Sequence, residues 1–191
     1  TNSEGYLITP ESLPYGKGYS VIEVQAPYGY VLDSTPIYFD ITAENTTDEN
    51  GVTIVKAEKK NTPQKGTITV EKTGEIFSNV TAIGGGYTDE NGNVIESPVT
   101  YTPVFSESGL ANAVFQIIAG EDIITADGTV RANAGDIVAE IATDENGYAE
   151  TDPLYLGKYE IKEIQAPDGY VLNGESQFIE LTYAGQEVEI R

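Results

Sequence analysis

The sequence predicts an all-β chain assembled from two copies of one sandwich module. Three observations carry this reading. Short runs rich in β-branched residues recur along the chain. Asp-Glu-Asn-Gly punctuates them at 48–51, 89–92 and 144–147, and Asn-Gly is a strong hairpin signal. Most telling, Tyr19-Ser-Val-Ile-Glu-Val-Gln-Ala-Pro-Tyr-Gly-Tyr-Val-Leu32 returns almost letter for letter as Tyr159-Glu-Ile-Lys-Glu-Ile-Gln-Ala-Pro-Asp-Gly-Tyr-Val-Leu172. A repeat this close marks two copies of one unit.

The expected strands follow in order. Ile37–Ile41 comes after the first copy of the repeat, and Val52–Ala57 has the β-branched content of a further strand. Thr67–Lys72 opens the second module. Ala113–Ile118 follows, then the second copy of the repeat, then Gln177–Leu181 and Glu187–Ile190. No segment reads as a capped amphipathic helix. Many short strands between Gly, Asn, Asp and Pro turns indicate a β-sandwich. Residues 77–112 read as an insertion after the first strand of module two, with some added strand, because a structureless loop of that length is unusual in a compact domain.

The copies align beyond the repeat. Thr1–Tyr6 corresponds to Thr143–Tyr148, and Leu13–Tyr19 to Leu154–Tyr159. The domain expectation is therefore residues 1–65 as the C-terminal part of a first module, and residues 66–191 as a second module lacking its last strand.

Composition excludes several functions. The chain has 191 residues and neither Cys nor His. A Ser/His/Asp triad, a thiol nucleophile and a Cys zinc site are ruled out. Asp and Glu number 31 against 10 Lys and Arg, a balance that repels nucleic acid and anionic membrane surfaces. No apolar run is long enough for a membrane-spanning helix. The Asp-Glu-Asn-Gly turns carry oxygen ligands but lack EF-hand spacing, so they read as hairpin turns. Adjacent carboxylates such as Asp144 and Glu145 are what an acidic chain contains anyway. The 13 Tyr read as core or cross-strand packing, with a ligand-binding face as the other option. The residues call for no metal and no cofactor.

The pattern Tyr-x-Ile-x-Glu-x-x-Ala-Pro-x-Gly-Tyr resembles the E-box of Cna B-type, SpaA-like domains, the building blocks of Gram-positive pilins and cell-wall-anchored adhesins. The resemblance covers most of the chain and implies tandem Ig-like β-sandwiches, the first shortened at its N-terminus. It also implies a spontaneous isopeptide bond, in which a first-strand Lys joins a last-strand Asn with loss of ammonia and an E-box Glu assists. By position, Lys72 matches the bond-forming Lys and Glu163 the assisting Glu of module two. Glu23 and Asn61 match the assisting Glu and the acceptor of module one. Asn61 also suits a turn before Thr62-Pro63. The remaining partner of each pair is expected outside this chain. Such chemistry needs burial, which disfavours charged amines and carboxylates alike, and a held geometry that supplies effective concentration.

Alternation along the E-box strand puts Tyr159, Ile161 and Glu163 on one face and Glu160, Lys162 and Ile164 on the other. Glu163 is therefore expected to be buried beside Ile161. The function implied is a non-enzymatic stalk or backbone module, extracellular at the cell wall, whose partners are neighbouring modules or subunits. The alternative is an adhesin domain that binds a host or neighbouring-cell ligand through residues 77–112.

Overall fold

The computed structural model describes residues 1–190 and divides the chain into two compact units, Thr1–Pro63 and Gln64–Arg191. All regular structure among the described residues is β.

The first unit holds one antiparallel pair, β1 (Gly16–Val21) and β2 (Ile37–Ile41). Tyr19 stands opposite Phe39 in the ladder, and their rings stack at 5.7 Å. An isolated bridge links Tyr30 to Pro63, and another links Thr47 to Thr53. Val52–Ala57, expected as a strand, makes no ladder beyond the latter bridge. Its β-branched residues have the propensity for a strand, but a strand exists only where a partner accepts its hydrogen bonds.

The second unit opens with β3 (Lys65–Glu71) and continues directly into the long β4 (Thr73–Ile83). Then come β5 (Tyr87–Thr88), β6 (Val94–Ile95) and β7 (Thr100–Gly109). After these follow β8 (Val114–Ala119), β9 (Ile123–Ile124), β10 (Val130–Ala132) and β11 (Ile137–Ala142). The chain ends through β12 (Tyr148–Glu150), β13 (Leu154–Tyr155), β14 (Gly157–Gln165), β15 (Gln177–Leu181) and β16 (Glu187–Ile190).

Two sheets of four strands form the sandwich. One runs β11-β8-β14-β15, antiparallel throughout. In the other, β3 pairs antiparallel with β12 and β13 and parallel with β16. Alternation dictates what fills the space between. Ile68 and Val70 of β3 point inward, as do Phe115, Ile117 and Ala119 of β8 and Tyr159 and Ile161 of β14. Leu181 and Ile190 complete the core. Each fully buried large side chain here contributes roughly 1.5–3 kcal/mol. Of the Tyr residues, expected in core or cross-strand packing, Tyr159 is in the core, Tyr155 packs against it and Tyr19 stacks across the strand pair on Phe39. Eight others are exposed, among them Tyr28, Tyr38 and Tyr101.

β4 and β7 pair along nearly their whole length as a two-stranded ribbon, with β5 and β6 pairing beyond it. Residues 77–112, read as an insertion, lie largely in this ribbon.

The Asp-Glu-Asn-Gly turns share one hydrogen-bond pattern. The Gly N–H donates to the Asp carbonyl, and the Asp Oδ1 accepts two further backbone N–H groups, at Asn50 and Val52, Asn91 and Asn93, and Asn146 and Tyr148. The Tyr148 N–H leads in holding the Asp144 carboxyl below the usual range, and at Asp89 the Asn93 side-chain N–H₂, which donates to Oδ2 at 2.9 Å, leads ahead of the backbone bonds. Asn2 makes the same set with Glu4, Gly5 and Tyr6, so Thr1–Tyr6 and Thr143–Tyr148 are alike in geometry as well as in sequence.

Candidate functional site

In the second unit the site lies between the two sheets. Glu163 projects inward from β14, the strand between β8 and β15, and is 4% exposed. The alternation of the E-box strand places it there: Tyr159, Ile161 and Glu163 are buried, whereas Lys162 and Ile164 are exposed. Lys72 follows β3 on the facing sheet and shares the inward parity of Ile68 and Val70. Its Nζ stands 3.0 Å from Glu163 Oε1, with the Lys side chain 22% exposed and the Glu side chain 3%. Oε1 has no aligned hydrogen-bond donor. The Lys72 amine is the charged group that faces it, at ion-pair distance rather than in a directed bond. Oε2 accepts the backbone N–H of Asn173 at 2.8 Å.

That last contact explains the motif downstream of the Glu. Ala166-Pro167-Asp168-Gly169 turns the chain, with the Tyr170 N–H donating to the Pro167 carbonyl. Gly169 takes φ +86°, a conformation that favours Gly. The chain then returns past Glu163, and the amide ten positions on meets its carboxylate. The first unit repeats the device. Gly29 has φ +80°, Tyr30 N–H donates to Pro27, and Asp33 N–H donates to Glu23 Oε2 at 3.1 Å. Sequence reading missed these amides, although the same Glu-to-amide spacing in both copies was available as a signal.

In the first unit Glu23 is half-buried and meets Asn61. Asn61 Nδ2 donates to Oε1 at 2.9 Å and to Oε2 at 2.8 Å, and lies 3.3 Å from the Val31 carbonyl. Beside this pair, Lys59 bridges Asp33 at 2.7 Å and the Thr35 carbonyl at 2.8 Å. The bond from Lys59, aided by Thr35, drives the Asp33 carboxyl far below the carboxylate range.

Each unit thus sets one polar side chain against an E-box carboxylate. The second brings together Lys72 and Glu163, and the first Glu23 and Asn61. An amine beside a buried carboxylate can pass it a proton and become a nucleophile. A carboxamide beside a carboxylate is held in a fixed orientation.

The E-box Tyr anchors both strands. Tyr159 Oη donates to the Tyr155 carbonyl at 2.6 Å, and Tyr19 Oη to the Pro14 carbonyl at 3.0 Å. Burial pushes the Tyr159 hydroxyl up to about 12. Among the described residues no cluster of His, Cys, Asp and Glu is suited to hold a metal ion.

Residues 1–56 and 98–191 match the family model of the SpaA prealbumin-like fold domain. The chain belongs to this family. Among solved structures it is similar to the Bacillus anthracis TIE protein, at 29% identity and a TM-score of 0.56 over 93% of this chain and 24% of that one. It therefore spans about a quarter of that protein's length. A second similarity is to BcpA, the major pilin subunit of Bacillus cereus, at 16% identity and a TM-score of 0.31 over 93% of this chain and 84% of that one. No curated protein matches the chain.

Proposed function

We propose that the chain is a structural stalk or backbone segment of a Gram-positive surface protein, extracellular at the cell wall, whose modules are tied by Lys–Asn isopeptide bonds. The single observation that carries this reading is the 3.0 Å approach of Lys72 to the buried carboxylate of Glu163. A Lys in an early strand ordinarily reaches water, and this one reaches into the sandwich.

The reaction balances without a co-reactant. Lys72 gives a proton to Glu163, and its neutral Nζ attacks the side-chain carbonyl carbon of an Asn. The new C–N bond replaces the bond to the amide nitrogen, which takes that proton from Glu163 and leaves as ammonia, while Nζ passes its second proton to the freed Glu163 carboxylate. Turnover is once per molecule, so the module is not an enzyme. In the first unit Glu23 would serve the same role for Asn61, which the carboxylate already holds. Register supports the tie: β16 pairs in parallel with β3, Ile190 opposite Val70, so first and last strands lie side by side at the end of β3 from which Lys72 follows. The partners are the neighbouring modules or subunits of the parent surface protein. A covalent tie between first and last strands closes a long loop and disfavours the unfolded chain, as a disulfide does.

The test is the intact mass of the parent protein. A deficit of one ammonia per module, with a cross-linked peptide containing Lys72, is the expected result. A full mass with free Lys72 would sink the proposal.

A second reading has its own observation. The ribbon formed by β4 and β7 exposes Phe77, Phe105 and Tyr101, and binding surfaces often sit on such projections from a rigid scaffold. In this reading the segment is an adhesin domain, and deleting the ribbon abolishes binding to cells or matrix while the sandwich survives.

A further inference from the structure

The ribbon's ladder sorts its side chains onto two faces. Phe77 pairs with Phe105, Val80 with Pro103, and Ala82 with Tyr101, the step from Phe77 to Val80 being set by an irregularity between Phe77 and Asn79. Paired residues share a face, and alternate residues along β7 share it too. One face is therefore an apolar and aromatic stripe. The other carries Asn79, Thr81, Thr100, Thr102 and Ser106 alongside Ile76, Ile83 and Val104. The stripe is wet: Phe77 is 58% exposed, Phe105 54%, Tyr101 69% and Val80 49%. The Phe77 and Phe105 rings meet edge to face at 6.3 Å and bury little against anything else. The sandwich core does not use them.

The same face ends in a like-charge pair. Glu75 stands directly opposite Glu107, an arrangement that weakens a sheet. Glu107 accepts the Thr73 hydroxyl at 2.8 Å. A shallow depression lies there, lined by Gly74, Glu75, Phe105, Ser106 and Glu107. From Thr73 to Gly109 the ribbon carries five acidic side chains and no Lys or Arg. A second copy of this chain, itself at net charge −21, is repelled, and so is an anionic membrane. A cation placed in the depression meets the Glu75 and Glu107 carboxylates beside the Phe105 side chain. Among the described residues no further strand pairs with either edge of the ribbon, although the Tyr170 hydroxyl donates to the Glu75 carbonyl at 2.7 Å, and β4 has no proline to interrupt an added strand beyond that point.

We propose that the apolar face of the β4–β7 ribbon is a docking surface for an extended, cationic segment of another protein, whose apolar side chains cover Phe77, Val80 and Tyr101 and whose Lys or Arg enters between Glu75 and Glu107. This rests on the adhesin reading and names the chemistry of its partner. Strand addition along β4 supplies main-chain hydrogen bonds, and the stripe and the acidic pair supply selectivity.

The probe is a fluorescent synthetic peptide alternating Val or Tyr with Lys, titrated into the 191-residue chain and followed by anisotropy. Glu75→Gln with Glu107→Gln is expected to weaken binding about tenfold, as is Phe77→Ser with Phe105→Ser. Val80→Thr with Tyr101→Thr tests the same face should the Phe variant fail to fold. Glu11→Gln with Glu44→Gln, which removes the same charge elsewhere, should change nothing. Equal losses in the Glu75/Glu107 and Glu11/Glu44 variants would mean that net charge alone attracts the peptide, and would overturn the inference. So would equal binding of a peptide with Glu in place of Lys, or concentration-dependent self-association that the Phe variant abolishes. If ribbon deletion stops attachment to cells or matrix while the Glu75/Glu107 and Phe variants bind the peptide like wild type, the adhesin reading stands and this inference falls.

Discussion

Asn61 presents one side-chain N–H₂ to both oxygens of Glu23, at 2.9 and 2.8 Å. The amide is thus gripped by the carboxylate that the repeat carries into each module. Asn61→Asp puts a second carboxylate against the first. At neutral pH the first unit should lose stability by on the order of 1–2 kcal/mol, allowing for its half-exposed setting. Asn61→Ala should cost less, because it removes the donor without adding a charge. Urea unfolding followed by NMR signals of residues 16–41 separates the two. Equal losses would mean that the contact carries no specific role.

Lys72→Ala leaves the Glu163 carboxylate buried without its facing cation. Removing one partner of a buried pair costs about 3 kcal/mol. The double change Lys72→Met with Glu163→Gln should recover much of that, since no lone charge is then buried. A double variant as unstable as Lys72→Ala would show that packing, not charge, is what the pair contributes.

Gly147 and Gly92 occupy the same position of the same turn, at φ +84° and +82°. A Cβ on Gly92 meets nothing within 4 Å, whereas one on Gly147 meets the Lys72 carbonyl oxygen at 2.3 Å and Gly109 Cα at 2.8 Å. Gly92→Ala should therefore cost about 1 kcal/mol, the backbone strain alone. Gly147→Ala should cost several-fold more and move Lys72 as well. Thermal melts of both variants decide it, and matching melting temperatures would refute the close approach.

The Tyr159 hydroxyl, raised by burial to about 12 from an ordinary 10, gives an alkaline limit. In the unfolded chain it ionises near 10, so its contribution is fully present below that pH and is lost as pH rises towards 12. Tyr159→Phe should melt lower at pH 7 by about 1 kcal/mol, the lost bond to the Tyr155 carbonyl, yet lose less between pH 10 and 12. Circular dichroism across that range is the measurement.

The sandwich was legible because its inner faces alternate. Ile68 and Val70 in β3, and Tyr159 and Ile161 in β14, carry a period of two with apolar residues inward. The same parity runs on to Lys72 and Glu163, so the meeting of these two could be anticipated from alternation as well as from family resemblance. The ribbon's extent was not legible. β4 and β7 are exposed on both faces for most of their length, so neither strand alternates apolar with polar. Val52–Ala57 failed the other way. It has strand composition, but pairing is a non-local property that composition does not contain. The amides of Asp33 and Asn173 have no letter of their own, and only the spacing shared by the two copies could have pointed to them.

The parallel pairing of β3 with β16 has a mechanical consequence. Tension applied where β3 begins and where β16 ends drags the two strands past each other along their length. The slanted hydrogen bonds from Thr67 to Val70 are then strained in shear, all together, instead of parting singly from one end. Force crosses directly from one strand to its neighbour, and everything between them in sequence is bypassed. The ribbon hangs in that bypassed stretch, so it keeps its shape and its exposed face while the segment that carries it is under pull.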